Sequence, residues 1–243
     1  MHDIAVLGDI LGLWAHPDDE TFTSAGLFAA AAAAGQTVVC VTATKGEAGV
    51  RNPDKWPPKK LGEIRAQELS AALQILGIGG CHHWLGLVDG ECNAVQDDVV
   101  LQQLHALLEQ YRPNTIVTFP PDGMTGHSDH QAVSAWARAL VAAADWSIRL
   151  LYVVPTRESY DTHLKDMDAV FNIFFGIEEP RLVVEKSCDL LLTLTPELQE
   201  KKYQALAAMP SQTSAMLDAY PRAYICDAFR TEGFVDAAHF TNS

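Results

Sequence analysis

Ala15-His16-Pro17-Asp18-Asp19-Glu20 joins an imidazole to three consecutive carboxylates directly after an apolar run, Ile10 to Ala15. Acids crowded into a buried turn are costly unless a cation or a proton offsets them. A second cluster, Gly126-His127-Ser128-Asp129-His130, follows another apolar run, Asn114 to Phe119. Two His/Asp clusters, each just past a strand-like segment, point to a divalent metal held between two loops. One carboxylate is left over for proton transfer, as metal-assisted hydrolysis needs.

Catalytic zinc takes three protein ligands and keeps one position open, and two His with one carboxylate is a common set. His16 and Asp19, three residues apart across a proline turn, can reach one ion, and His130 completes the set. Asp18 is then free to take a proton from the attacking water. His127 lies one helical turn before His130, so both can face one cavity, where a protonated His127 would stabilise an oxyanion. Asp129 is placed to orient a neighbouring imidazole.

Simpler readings compete with these. Asp18 or Asp19 followed by acids suits a helix N-terminus, but capping alone explains neither the preceding His nor the matching distant cluster. His82, His83 and His105 lack partners of this kind and read as surface or half-buried histidines. Phe171, Phe174 and Phe175 read as core.

The elements that must position these groups alternate. Strand-like runs at 10 to 15, 37 to 42, about 81 to 85 and 114 to 119 are separated by helical patterns at about 21 to 34, 61 to 76 and 97 to 111. A further helix is expected at about 128 to 143. In the segment 61 to 76, Ile64, Leu69, Leu73 and Leu76 share one face. Gly35, Gly77 and Pro113 stand where helices should stop. Such alternation predicts an α/β fold, a parallel sheet wrapped by helices. In a doubly wound sheet the first and fourth strands adjoin where strand order reverses, and ligands bind beyond their carboxyl ends. Both clusters fall there. No GxGxxG follows the first run, which disfavours a dinucleotide site.

Beyond about residue 150 the pattern is less regular. Strands are expected at Arg149 to Val154, Arg181 to Val184 and Leu190 to Thr195, a helix at about 197 to 208, and a last strand near Ala223 to Phe229. No linker intervenes, so 1 to 243 reads as one domain, with a core at about 8 to 155 and a C-terminal elaboration at about 156 to 243. A net charge of −14 argues against a nucleic-acid partner or an anionic membrane. Cys40, Cys81, Cys92, Cys188 and Cys226 form no regular framework and read as reduced, buried thiols. The start, MHDIAVLGD, lacks a secretory pattern, and no apolar run approaches a bilayer span, so a cytoplasmic protein without membrane insertion is expected. Homo-oligomerisation is left open.

These motifs resemble those of the LmbE-like (PIG-L) family of zinc-dependent de-N-acetylases. That family's first motif reads AHPDDE, and its second is matched by His127 to His130. A TxGExG-like segment is matched by Thr44 to Gly49, an R-x-x-E helix by Arg65 to Glu68, and a Gly-x-x-Asp by Gly86 to Asp89. A later Lys-plus-Ser-Gln element is matched by Lys201 or Lys202 with Ser211-Gln212. The resemblance implies a Rossmann-like fold and hydrolysis of the acetamide of an N-acetylglucosaminyl conjugate, a small-molecule acetylated aminosugar. It implies Zn²⁺, or Fe²⁺, on His16, Asp19 and His130, with Asp18 as base and His127 as oxyanion stabiliser. Arg65, Asp89 and Glu47 would contact substrate; otherwise Arg65 is a surface ion-pair residue beside Glu63 or Glu68, and Asp89 a turn residue. Thr125 stands where some members carry Tyr, and Ser128 where Pro is usual.

Other readings remain: a metal-containing sugar-binding protein without activity, a non-haem iron site of the same ligand type, and an amidase acting on a thiol conjugate.

Overall fold

The computed structural model describes residues 4–240, so the first and last three residues of the expected 1 to 243 span lie outside the described residues. Its centre is a seven-stranded sheet in the order β3-β2-β1-β4-β5-β7-β6. The strands are β1 (Ile10–Trp14), β2 (Val38–Thr44), β3 (His82–Leu87), β4 (Thr115–Thr118), β5 (Arg149–Val154), β6 (Leu190–Thr193) and β7 (Thr231–Asp236). β1 to β5 are parallel, while β7 runs antiparallel to both β5 and β6. The helices are α1 (Asp19–Ala33), α2 (Leu61–Leu76), α3 (Asp97–Tyr111), α4 (Ser128–Ala143), α5 (Arg157–Ser159), α6 (Lys165–Phe171), α7 (Pro196–Ala207), α8 (Pro210–Ala219) and α9 (Arg222–Ala228).

Every residue of β1, β2 and β4 is buried. This explains their continuous apolar runs, because a central parallel strand is covered on both faces. Leu11, Leu13, Trp14, Val39, Val41 and Ile116 belong to the main core. A smaller apolar cluster of Met167, Leu206, Met216, Ile225 and Ala228 lies among the C-terminal helices. β1 and β4 are hydrogen-bonded neighbours, Ile10 opposite Thr115, so the two His/Asp loops leave adjacent strands at the reversal of strand order.

The second half departs from expectation in three places. Arg181 to Val184 forms no named strand, only a single bridge between Thr156 and Val183. The run Ala223 to Phe229 is helix α9 rather than a strand; Pro221 (φ −58°, ψ 145°) stands at its start and pre-sets the entry. The true last strand is TEGFVD, whose charges mask it. Its Glu232 is 2 % exposed and accepts from the N–H groups of Gly26 and Leu27 and from Lys202 Nζ at 2.7–2.8 Å. Burial of a carboxylate is tolerated there because its oxygens meet donors. Of the cysteines, Cys40 and Cys92 are buried, while Cys81, Cys188 and Cys226 are only half-buried. Among the described residues no helix is long and apolar enough to cross a membrane.

Candidate active site

β1 ends at Trp14, and the chain turns through Pro17 into α1. Asp18 occupies the N-cap with φ 104°, a left-handed conformation that side chains rarely adopt, and its carboxylate makes no capping bond. Asp18 therefore ends the turn without serving as the cap acceptor. Asp19 Oδ2 instead accepts from the backbone N–H groups of Ala15 (3.1 Å) and His16 (2.7 Å), which fixes this carboxylate beneath the loop.

From the neighbouring strand, Phe119 stacks on His130 with ring centroids 3.9 Å apart. His130 Nδ1 donates to the Gly123 carbonyl at 2.9 Å, which turns the bare Nε2 toward His16. His16 Nε2 donates to Asp89 Oδ1 (3.0 Å) and Asp129 Oδ2 (3.3 Å), leaving its Nδ1 free. Nδ1 of His16, Nε2 of His130 and the Asp19 carboxylate then converge, with separations of 3.3, 3.4 and 3.7 Å. Tetrahedral ligands ~2.0–2.1 Å from zinc lie about 3.3 Å from one another. These residues thus fit a zinc-like ion. His16, His127 and Asp129 also lie close enough to share an ion. There, however, Asp129 Oδ2 already accepts from Gly90 N–H, and His127 Nδ1 accepts from Asp129 N–H.

Electrostatics point the same way. Burial alone would lower the His16 pKa, but Asp129 and Asp89 raise it to about 10, so the pocket demands positive charge here. Burial pushes Asp129 up, yet bonds from His16 and the N–H groups of Gly90 and Cys92 hold it at about 2. Asp89 is lowered for a similar reason: His16 and Ala48 N–H outweigh its burial. Burial raises Asp18 to about 6, with Arg65 opposing, and raises Glu20 to about 8, so Glu20 carries its own proton at neutral pH. The third acid of the loop is thus offset by a proton.

Arg65 is not a surface residue paired with Glu63 or Glu68. It is 4 % exposed and donates to the carbonyls of Gly46 and Pro17 and to Asp18 Oδ2. Glu68 instead accepts from the Ser211 hydroxyl and N–H. Asp89 is more than a turn residue: its Oδ2 accepts from Ala48 N–H while its Oδ1 holds His16. Glu47 Oε1 accepts from Asp89 N–H, one step further back. His127 caps α4, with Nδ1 accepting from Asp129 N–H at 3.1 Å. Burial and the nearby His16 lower its pKa. The ring is therefore neutral, with its proton on Nε2, rather than protonated as expected.

A cavity of about 720 Å³ contains His16, Asp18, Asp19, His127 and His130, together with Arg65 and Asp89. Phe171, Phe174 and Phe175 line it too; Phe174 is buried as a core residue would be, while the half-buried Phe171 and exposed Phe175 correct their reading as core. Phe175 stands edge-on to His127 at 5.7 Å and is 57 % exposed. Gly126 (φ 82°) brings this wall in: a Cβ there would lie 2.3 Å from the Gly176 carbonyl carbon. Gly176 N–H also donates to Thr125 O. Composition gave no sign of that approach. His82 and His83 lie apart, bonded to Thr42 and Tyr111.

The sheet order and a two-loop His/Asp site at the β1/β4 junction define a doubly wound α/β protein with a site suited to hydrolytic chemistry. Comparison with known proteins makes this particular: residues 11–141 match the family model for GlcNAc-PI de-N-acetylase (PIG-L), and the chain belongs to that family. The 1D-myo-inositol 2-acetamido-2-deoxy-alpha-D-glucopyranoside deacetylase of Corynebacterium glutamicum is 31 % identical over 222 residues, covering 84 % of this chain and 74 % of the relative. Among solved structures, N,N'-diacetylchitobiose deacetylase from Pyrococcus horikoshii superposes with a TM-score of 0.66 at 20 % identity, over 99 % and 91 % of the two chains. The 4-carboxy-2-hydroxymuconate hydratase of Pseudomonas putida gives 0.65 at 18 % identity, over 97 % and 98 %. At these identities the structures share the fold alone, and that fold serves more than one reaction.

Proposed function

We propose that this protein is a metal-dependent hydrolase that removes the acetyl group from an N-acetylglucosaminyl conjugate. The observation that carries the proposal is the convergence of His16 Nδ1, Asp19 and His130 Nε2 within 3.7 Å of one another, beside an unligated Asp18. The C. glutamicum relative is named for such a conjugate, an inositol aminosugar. A bound Zn²⁺ or Fe²⁺ would acidify water and polarise the acetyl carbonyl.

The chain's own residues do the rest. Asp18, with a pKa near 6, is charged at pH 7 yet basic enough to take a proton from the attacking water. The same carboxyl then returns a proton to the departing amine. His127, neutral and fixed through Nδ1, offers Nε2–H to the developing oxyanion. Asp89 and Asp129 orient His16, and Gly123 orients His130. Arg65 holds the loop that carries Asp18.

Free amine released from a panel of N-acetylglucosaminides, scored with metal-stripped, Zn²⁺-loaded and Fe²⁺-loaded protein, tests this reading. Activity should require the metal, and Asp18→Asn should lower kcat by about 10²–10⁴-fold with metal content retained. Turnover unaffected by Asp18→Asn would refute the assigned base. Tight sugar binding without amine release from any substrate would favour a binding protein.

A further inference from the structure

The catalytic groups account for only part of the cavity. Phe22, Leu164, Phe171, Ile173, Met216 and Phe229 also face it. All but Met216 are half-buried residues packed against the smaller apolar cluster, to which Met216 itself belongs. They come from α1, the π-helical turn before α6, α6 and its following loop, α8 and the end of α9. This wall is thus built mainly by the C-terminal half of the chain. The rings of Phe22 and Phe229 pack at a tilt, with centroids 5.6 Å apart.

Three polar side chains of the same wall are already engaged within the protein, while Asn172 and Thr231 also line the cavity. Thr23 Oγ1 donates to Asp19 O, and Ser159 Oγ donates to Ala228 O. Both Glu232 oxygens accept from α1 N–H groups, and one also accepts from Lys202. Elsewhere the polar lining gathers beside the His/Asp cluster, where Asp89 holds Ala48 N–H and Gln212 donates to Gly49 O. At the rim, Phe175 is 57 % exposed, large apolar surface left to solvent next to the site.

We infer that the conjugate hydrolysed here carries an apolar aglycone, an alkyl or aryl group that this aromatic wall receives. The inference rests on the deacetylase reading for the location of the sugar. A polyol aglycone such as inositol would have to strip most of its hydroxyls of water against a wall that is mainly carbon, and a buried hydroxyl without a partner is costly. An alkyl or aryl group gains from the same burial and from aromatic contact.

Two measurements test this together. In the first, kcat/KM is compared for the hexyl, phenyl and inositol N-acetylglucosaminides with metal-loaded protein. The hexyl and phenyl compounds should exceed the inositol one by at least about tenfold. Phe171→Ser should lower kcat/KM for the hexyl and phenyl compounds by a larger factor than for the inositol one, and an equal loss for all three would count against the inference. In the second, hexyl glucoside and methyl glucoside, which carry no acetyl group, are titrated calorimetrically into wild-type protein. Hexyl glucoside should bind at least about tenfold more tightly, with a negative heat-capacity change. Equal binding of the two glucosides, or preference for the inositol substrate, would overturn the inference. Amine release without an apolar preference would sink the aglycone and spare the deacetylase; apolar preference in binding without amine release would do the reverse.

Discussion

Arg65 Nη2 lies 3.2 Å from Asp18 Oδ2, and the same nitrogen donates to the carbonyl of the preceding residue, Pro17. With Nη1 on Gly46 O, one buried guanidinium spans two loops and touches the proposed base. No other side chain type offers that fork. Arg65→Lys preserves the charge but cannot reach Gly46, Pro17 and Asp18 together. We expect kcat to fall about 10–100-fold, with KM changing less. Steady-state kinetics alongside a melting curve would show this; a rise in KM alone would mean that Arg65 serves substrate binding instead.

His127 has two tasks that substitution can separate. Asn supplies a cap acceptor for Asp129 N–H but no ring Nε2–H, whereas Ala supplies neither. Both variants should lose about 10²–10³-fold in kcat. Only His127→Ala should also lose stability, by about 1 kcal/mol. Denaturant midpoints of the two variants would separate these contributions, and equal midpoints would remove the cap from the account.

Acid should weaken the fold through His82. Burial, with the neighbouring His83, lowers its pKa from 6.5 to about 4. Between those values the unfolded chain holds a proton that the folded chain lacks, so stability falls as pH drops from 6.5 toward 4 and is constant in this respect below. His82→Gln, which can still bond Thr42 Oγ1, should leave the pH 7 midpoint near wild type. At pH 5 it should be more stable than wild type by on the order of 1 kcal/mol. Urea titrations at both values suffice, and parallel acid losses in the two proteins would count against it.

Lys202 Nζ meets Glu232 Oε1 at 2.7 Å with both side chains nearly inaccessible. Removing the cation alone strands a buried carboxylate, so Lys202→Met should destabilise by about 3 kcal/mol. Adding Glu232→Gln should recover part of that loss. A calorimetric comparison of single and double variants reads the coupling, and additive losses would show the pair to be independent.

Much of this architecture could be read from residue order. The periodicity of 61–76, 97–111 and 128–143 gives α2, α3 and α4 with their bounds, because each has a clear apolar face and a defined stop. The placement of both His/Asp clusters follows from β1 and β4 being neighbours, a topological rule rather than a local signal. What escaped sequence reading depends on distant partners. Glu232 disguises β7 because its charge is met only by α1 and Lys202. Arg65 looks like a surface ion pair until Pro17 and Gly46 close around it. Phe171 and Phe175 resemble core because an apolar residue facing a cavity and one facing a neighbour have the same local pattern. The neutral form of His127 follows from one backbone N–H that only the start of α4 supplies.

The twisted backbone at Asp18, φ 104°, belongs to a glycine's repertoire, yet an acid stands there. Strain of this kind costs on the order of 1–3 kcal/mol. Relaxing it with Asp18→Gly should harden the protein against heat while silencing it. At this turn durability and turnover pull in opposite directions, so screens that reward thermal robustness alone would drift toward an inert enzyme.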